Sequence, residues 1–133
     1  MNIWKNAVMA YVGGMLYVGL ELLWRGWSHG SMFVVGGLCF LLLGEIHRRY
    51  GQAPLLMQAV LGAAAITTME LLSGLFINVF LGLRVWDYSS LPYNLLGQVC
   101  LSYFFLWIWV AMAGGALEGR LRSRLFRRMQ SQI

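Results

Sequence analysis

One glutamate in this 133-residue chain stands where water should not reach it. Glu70 follows Pro54 by sixteen residues and precedes Arg84 by fourteen, inside an apolar stretch. On a straight helix its carboxyl is more than about 20 Å from either end. An ionised side chain at the centre of a bilayer costs about 2.5–3.5 kcal/mol, so such a residue is normally protonated, paired or turned toward water. Two chemistries fit: a binding point for a proton, cation or polar substrate, or a neutral or paired group that locks helices together. Thr67 and Ser73, three residues to either side, lie near the same helical face and are placed to hydrogen-bond it.

Further polar groups gather toward one end of the apolar segments. Glu21 has Arg25 four residues later, the favourable order for an intrahelical pair. It reads as a plain interfacial ion pair or as part of a site. Arg84 and Asp87, three residues apart, make a second pair open to the same two readings. The densest polar patch is Trp86-Asp87-Tyr88-Ser89-Ser90-Leu91-Pro92-Tyr93-Asn94. Helix capping and interfacial aromatics account for part of it. They leave Asn94 and Gln98, which share one face of a helix at this spacing and are expected to line an interface or cavity with Glu70 and Glu21. The candidate substrate- or ion-binding set is therefore Glu70, Glu21, Arg25, Arg84, Asp87, Ser89, Asn94 and Gln98.

Other chemistries lack their residues. Cys39 and Cys100 lie in apolar runs without CxxC or Cys/His zinc spacing, and read as small hydrophobes. His29 and His47 fall at opposite membrane ends in the topology below and cannot share a metal within one subunit. GxxxxGK[ST], HExxH and GxSxG sequences do not occur. No cofactor or metal is expected, and an enzyme is the less favoured reading.

The elements that must position these groups are set by composition. The chain is 59% hydrophobic and 11% charged, against about 25% charged in a soluble domain. Mean hydropathy is +0.66. At about 20 residues per crossing, four helices take about 80 residues and leave about 50 for loops and tails. Spans are expected at about 7–24, 31–46, 54–83 and 93–117, with a basic tail over 118–133. Backbone satisfaction in lipid requires helices, so the fold class is all-α and polytopic. Pro54 and Pro92 suit the opening turns of the third and fourth helices. The third span is the longest and must tilt or bend, with Ser73-Gly74 as a plausible bend. The first span reads as a retained helix rather than a cleaved signal.

Ten basic residues against five acidic give a net charge of +5, and five of the arginines lie in the last fourteen positions. Beside an apolar helix this is a topology anchor attracted to anionic lipid, not a nucleic-acid arm. Lys5, His47-Arg48-Arg49 and the arginine tail share one side, which the positive-inside rule makes cytoplasmic, with both termini. Trp24, Trp27, Trp86 and Tyr88 are then expected as an outer aromatic girdle, with Trp4 and Tyr50 on the inner side. The two halves echo each other: Glu21-Leu22-Leu23 with Glu70-Leu71-Leu72, and Gly36-Gly37-Leu38-Cys39 with Gly97-Gln98-Val99-Cys100. This suggests a parallel two-helix duplication. Glycine pairs at 13–14, 36–37 and 114–115 allow close helix approach, and four short helices enclose little volume, so a homodimer in the bilayer is expected.

The second half, Glu70 followed by Trp86-Asp87-Tyr88-Ser89, Pro92, Asn94, Gly97 and Cys100, resembles the CmpB-like ABC-transporter permease (type IV) family of bacterial multi-span membrane proteins. The first half resembles it less closely: Glu21, Arg25-Gly26 and His29-Gly30 fit, but Ser31 stands where the family tends to proline. The resemblance implies a multi-span membrane protein, with Glu70, Asp87, Ser89 and Asn94 as signature positions; a bacterial inner-membrane location is expected. The leading expectation is a small transporter or channel subunit with a buried carboxylate. The alternatives are a noncatalytic subunit or assembly partner of a larger complex with a separate ATPase, and a membrane-embedded lipid-modifying enzyme using Asp87, His29 or Glu21.

Overall fold

The computed structural model describes residues 3–26 and 28–131, without the side chains of residues 24, 25 and 127–131. Trp27, and the side chains of Trp24 and Arg25, thus lie outside the described residues. Four helices are long and apolar enough to cross a membrane: α1 (Ile3–Arg25), α2 (Gly30–Arg49), α3 (Leu55–Gly74) and α4 (Leu101–Ser131). The all-α polytopic expectation holds.

Each boundary has a local cause. His29 caps α2, its Nδ1 accepting from the Ser31 amide at 3.1 Å. Pro54, with extended backbone, leads into α3. Beyond Ser73-Gly74, where a bend is expected, α3 widens into a π-helical segment, Leu75–Phe80. Such turns shift the helical phase, and here Ile77 and Asn78 are buried.

Helices approach closely where side chains are absent. A Cβ on Gly37 of α2 would strike the Ala10 carbonyl of α1, and one on Gly62 of α3 would meet Ala111 Cβ of α4 at 2.6 Å. The core between α2, α3 and α4 holds Val35, Cys39, Leu43, Ala63, Ile66, Trp107 and Ala111. The start of α1, the end of α2, the start of α3 and the second half of α4 meet at one end. There Arg122 Nη2 donates to Asn6 at 2.9 Å, Arg48 pairs with Glu118, and His47 hydrogen-bonds Gln58. At the other end the loop over 81–100 folds back, and Met32 packs with Ile77, Val85 and Trp86.

Two differences from the expected spans follow from local chemistry. The fourth helix starts at Leu101, not at Tyr93, because 94–100 form a two-residue antiparallel hairpin, β1 (Asn94–Leu95) with β2 (Val99–Cys100). Tyr93, Leu96 and Gly97 all have positive φ (55°, 56° and 72°), which no right-handed helix accommodates. At its other end α4 runs on to Ser131, so most of the basic tail is a continuation of the span. The paired anchors of the two halves also sit in different local structures: Gly36 to Cys39 lie within α2, Gly97 to Cys100 in the hairpin.

Candidate functional site

Glu70 sits one turn before the end of α3 and is 5% exposed. Both carboxylate oxygens are held by neutral donors from other elements. Tyr88, from the 81–100 loop, donates to Oε1 at 3.0 Å. Trp107 of α4 donates its indole N–H to Oε2 at 3.1 Å. Tyr88 stacks on Tyr103 at 4.8 Å between centroids, and Tyr103 leans on Trp107 at 6.3 Å, so the two donors are braced by one aromatic column. Burial, and then Glu70, push the Tyr88 phenol well above its usual pKa, which keeps it a donor. Among the described residues no cation pairs with Glu70.

Glu21 belongs to the same neighbourhood. Its carboxyl and the Tyr17 phenol, one turn back on α1, sense each other electrostatically, as do Tyr17 and Glu70 and the two carboxyls. The expected hydroxyl partners of Glu70 are not its partners. Ser73 donates to the backbone carbonyls of Met69 and Glu70 instead, the usual bond of a mid-helix serine. Thr67 Oγ1 is buried one turn from Glu70 with no hydrogen-bond partner among the described residues.

The remaining candidates divide between two loop networks. Gln98 Oε1 accepts from Asn78 Nδ2 at 2.9 Å, and Gln98 Nε2 donates to the Leu96 carbonyl. Asn78 Oδ1 in turn accepts from the Val85 amide at 2.7 Å. Trp86, expected in the outer girdle, is instead buried, its indole N–H donating to the Gln98 carbonyl at 2.9 Å. A buried donor of this kind requires such a partner, and the hairpin supplies it. Gly74 makes room for the network, since a Cβ there would meet Gln98 Oε1 at 2.5 Å.

Asn94 does not share a helical face with Gln98. Its side chain ties the loop, accepting from the Gly97 amide at 3.0 Å and donating to the carbonyls of Ser89 and Leu91. Asp87 Oδ1 accepts from the Ser89 amide at 2.9 Å. The Ser89 hydroxyl and amide, and then Arg84, hold the Asp87 carboxyl below the usual range. Arg84 acts from a distance, without a direct ion pair: its φ of 52° takes it out of the helical geometry that the three-residue spacing assumes. Of the predicted set the structure therefore brings Glu70 and Glu21 together, while Asn94, Gln98, Asp87 and Ser89 organise the loop that carries Tyr88 to Glu70.

Sequence reasoning missed Tyr17, Asn78 and Trp107, and, at the other end, Glu118. The Glu118 carboxylate is 0% exposed. It accepts from Arg48 Nη1 at 2.8 Å and from Arg122 Nε at 2.7 Å. One sequence signal pointed to it: a lone acidic residue in an arginine-rich stretch with an arginine four positions on.

Chemically, the Glu70 cage is asymmetric. A phenol hydroxyl both donates and accepts, whereas an indole N–H only donates. A proton arriving on Glu70 is therefore accommodated on Oε1, with the Tyr88 bond reversed, while Oε2 keeps its indole donor.

A search of curated proteins and one of solved structures returned no match. The family model described as Putative ABC-transporter type IV matches residues 9–132, which takes in most of α1, the other three long helices, the hairpin loop, Glu70 and Glu118. With four apolar helices this makes the chain a multi-pass membrane protein of a transport-related kind. It belongs to the Putative ABC-transporter type IV family.

Proposed function

We propose that this protein is a small membrane transporter or channel subunit that moves a small solute or ion past Glu70. The observation that carries the reading is a carboxylate in a membrane-spanning helix, 5% exposed, held by two neutral donors and no cation among the described residues. A purely structural carboxylate in lipid is best served by a permanent cation partner. Glu118 has that arrangement and Glu70 does not. Glu21, reached through Tyr17, supplies a second carboxyl, and the unpartnered Thr67 hydroxyl a neutral group for a passing ligand. The positive-inside rule places the end with Lys5, Arg48, Arg49 and the arginines of α4 in the cytoplasm, so the Glu70 end faces outward. A bacterial inner membrane and a homodimer complete the reading. Coupling to ATP would require a nucleotide-binding sequence outside these 133 residues, since no P-loop occurs within them.

The test is flux into proteoliposomes under proton and cation gradients, wild type beside Glu70→Gln. Glutamine preserves size and hydrogen bonding but removes the exchangeable proton. Flux at least about tenfold lower in the variant is expected, the effect of about 1.4 kcal/mol on the rate-limiting step. Equal flux in the two would refute the role of Glu70. A folded wild type that moves nothing under any gradient would favour the noncatalytic-subunit reading, for which co-purification with a partner is the measurement.

A further inference from the structure

At the basic end, α1, α2 and α4 enclose an open cavity of about 1040 Å³. Lys5, Arg48, Arg120, Arg122 and Arg124 line it with His47, and no acidic side chain is among the described residues of its lining. Two of these cations are fixed in advance. Arg122 uses Nε–H on Glu118 and an Nη2–H on Asn6, and Arg48 is held by Glu118 and Glu45. A guanidinium has five N–H donors, so both arginines keep some for a ligand. Arg120 and Arg124 have no carboxylate partner among the described residues. Lys5 lies over the ring of buried Phe126 at 5.4 Å. Five cationic groups facing one space repel one another, and Glu118 beneath them, with Glu45 on Arg48, offsets only part of that charge. Oriented guanidiniums of this kind match the bidentate geometry of a phosphoryl group.

We propose that this cavity is a binding site for a phosphoryl anion, with Arg120, Arg122 and Arg124 of α4 and Arg48 of α2 as its ligands. Phospholipid headgroups and soluble phosphates share that chemistry. Ile3, Trp4, Leu117 and Leu125, neighbours in sequence of the lining residues, are exposed apolar side chains on which acyl chains could lie.

The experiment measures saturable binding to the purified full chain in neutral detergent, using phosphatidylglycerol in mixed micelles in one arm and inorganic phosphate and pyrophosphate in the other. Arg120→Gln and Arg124→Gln are compared with Arg49→Gln, which removes the same charge from a residue outside the cavity that pairs with Glu45. Neither cavity variant disturbs the Glu118 pairs, and a melting curve checks that each is folded. Binding of about one phosphatidylglycerol per chain, weakened about tenfold by each cavity variant and less than about twofold by Arg49→Gln, is the expected result. The same variant pattern with pyrophosphate or phosphate, and none with the lipid, upholds the site and assigns it a soluble ligand. Equal weakening by all three variants, or no saturable binding in either arm, would overturn the proposal.

Discussion

Gly44 of α2 is the floor on which the Glu118 carboxylate rests. A Cβ at position 44 would coincide with Glu118 Oε2 and overlap its Cδ. Gly44→Ala must therefore expel the carboxylate and release Arg48 and Arg122. Breaking a buried ion pair costs about 3–5 kcal/mol. The two arginines are 39% and 20% exposed and regain water once freed, which lowers the cost to about 2–3 kcal/mol. Alanine gains about 1 kcal/mol over glycine in a helix interior. The net effect is a destabilisation of about 1–2 kcal/mol from a change that helix propensity alone scores as stabilising. Gly19→Ala in α1 is the control, since its Cβ would meet nothing within 4 Å; it is expected to be neutral or stabilising by up to about 1 kcal/mol. Thermal melting in detergent, followed by intrinsic fluorescence, reads both. In a Glu118→Ala background the obstruction is gone, and Gly44→Ala should there recover its propensity gain, a coupling of about 2–3 kcal/mol. A Gly44→Ala protein that melts at or above wild type, or an effect unchanged in the Glu118→Ala background, would refute the reasoning.

Trp107→Phe removes the only donor to Glu70 Oε2 among the described residues and is expected to destabilise by about 1–3 kcal/mol, well beyond Trp109→Phe at a site that is 70% exposed. Equal melting shifts for the two would count against the indole bond. The Asp87–Ser89 contact should titrate: because the folded carboxyl lies below its ordinary value, the contact's contribution is complete above the unfolded value of about 3.9 and is lost as pH falls through the lower folded one. The Ser89 amide resonance, followed from pH 5 downward on Asp87 titration, reports that midpoint, and Ser89→Ala should move it up by removing the hydroxyl; an unmoved midpoint would show that the hydroxyl does not hold Asp87.

The four spans were legible because burial in lipid is a property of composition, which hydropathy reads directly. The burial of Glu70 was legible for the same reason, as distance from the span ends. The start of α4 was not, because Tyr93, Leu95, Leu96, Val99 and Cys100 keep the segment apolar on average despite Asn94, Gly97 and Gln98, and hydropathy cannot tell a hairpin from a helix when both are packed. Pro92, Asn94 and Gly97 carried the turn signal, but it was outweighed. Residue type alone puts Trp86 in the girdle, whereas its place is decided by the Gln98 carbonyl, which the hairpin presents. Glu118 escaped because its burial depends on a missing side chain on another helix. Trp107 was one of six tryptophans until α3 and α4 were set side by side.

The unbroken course of α4 has a mechanical consequence. Trp107 and Glu118 are eleven residues apart, about 16 Å along the axis and within about 20° of the same face. One grips the Glu70 carboxyl, the other anchors the guanidiniums at the opposite end. The helix is continuous between them, so a sliding or rolling of the rod that loosens one grip bears on the other. Were a ligand at the arginines to shift the rod, Glu70 would feel it, and by linkage a change at Glu70 would alter the hold on that ligand by the same free energy.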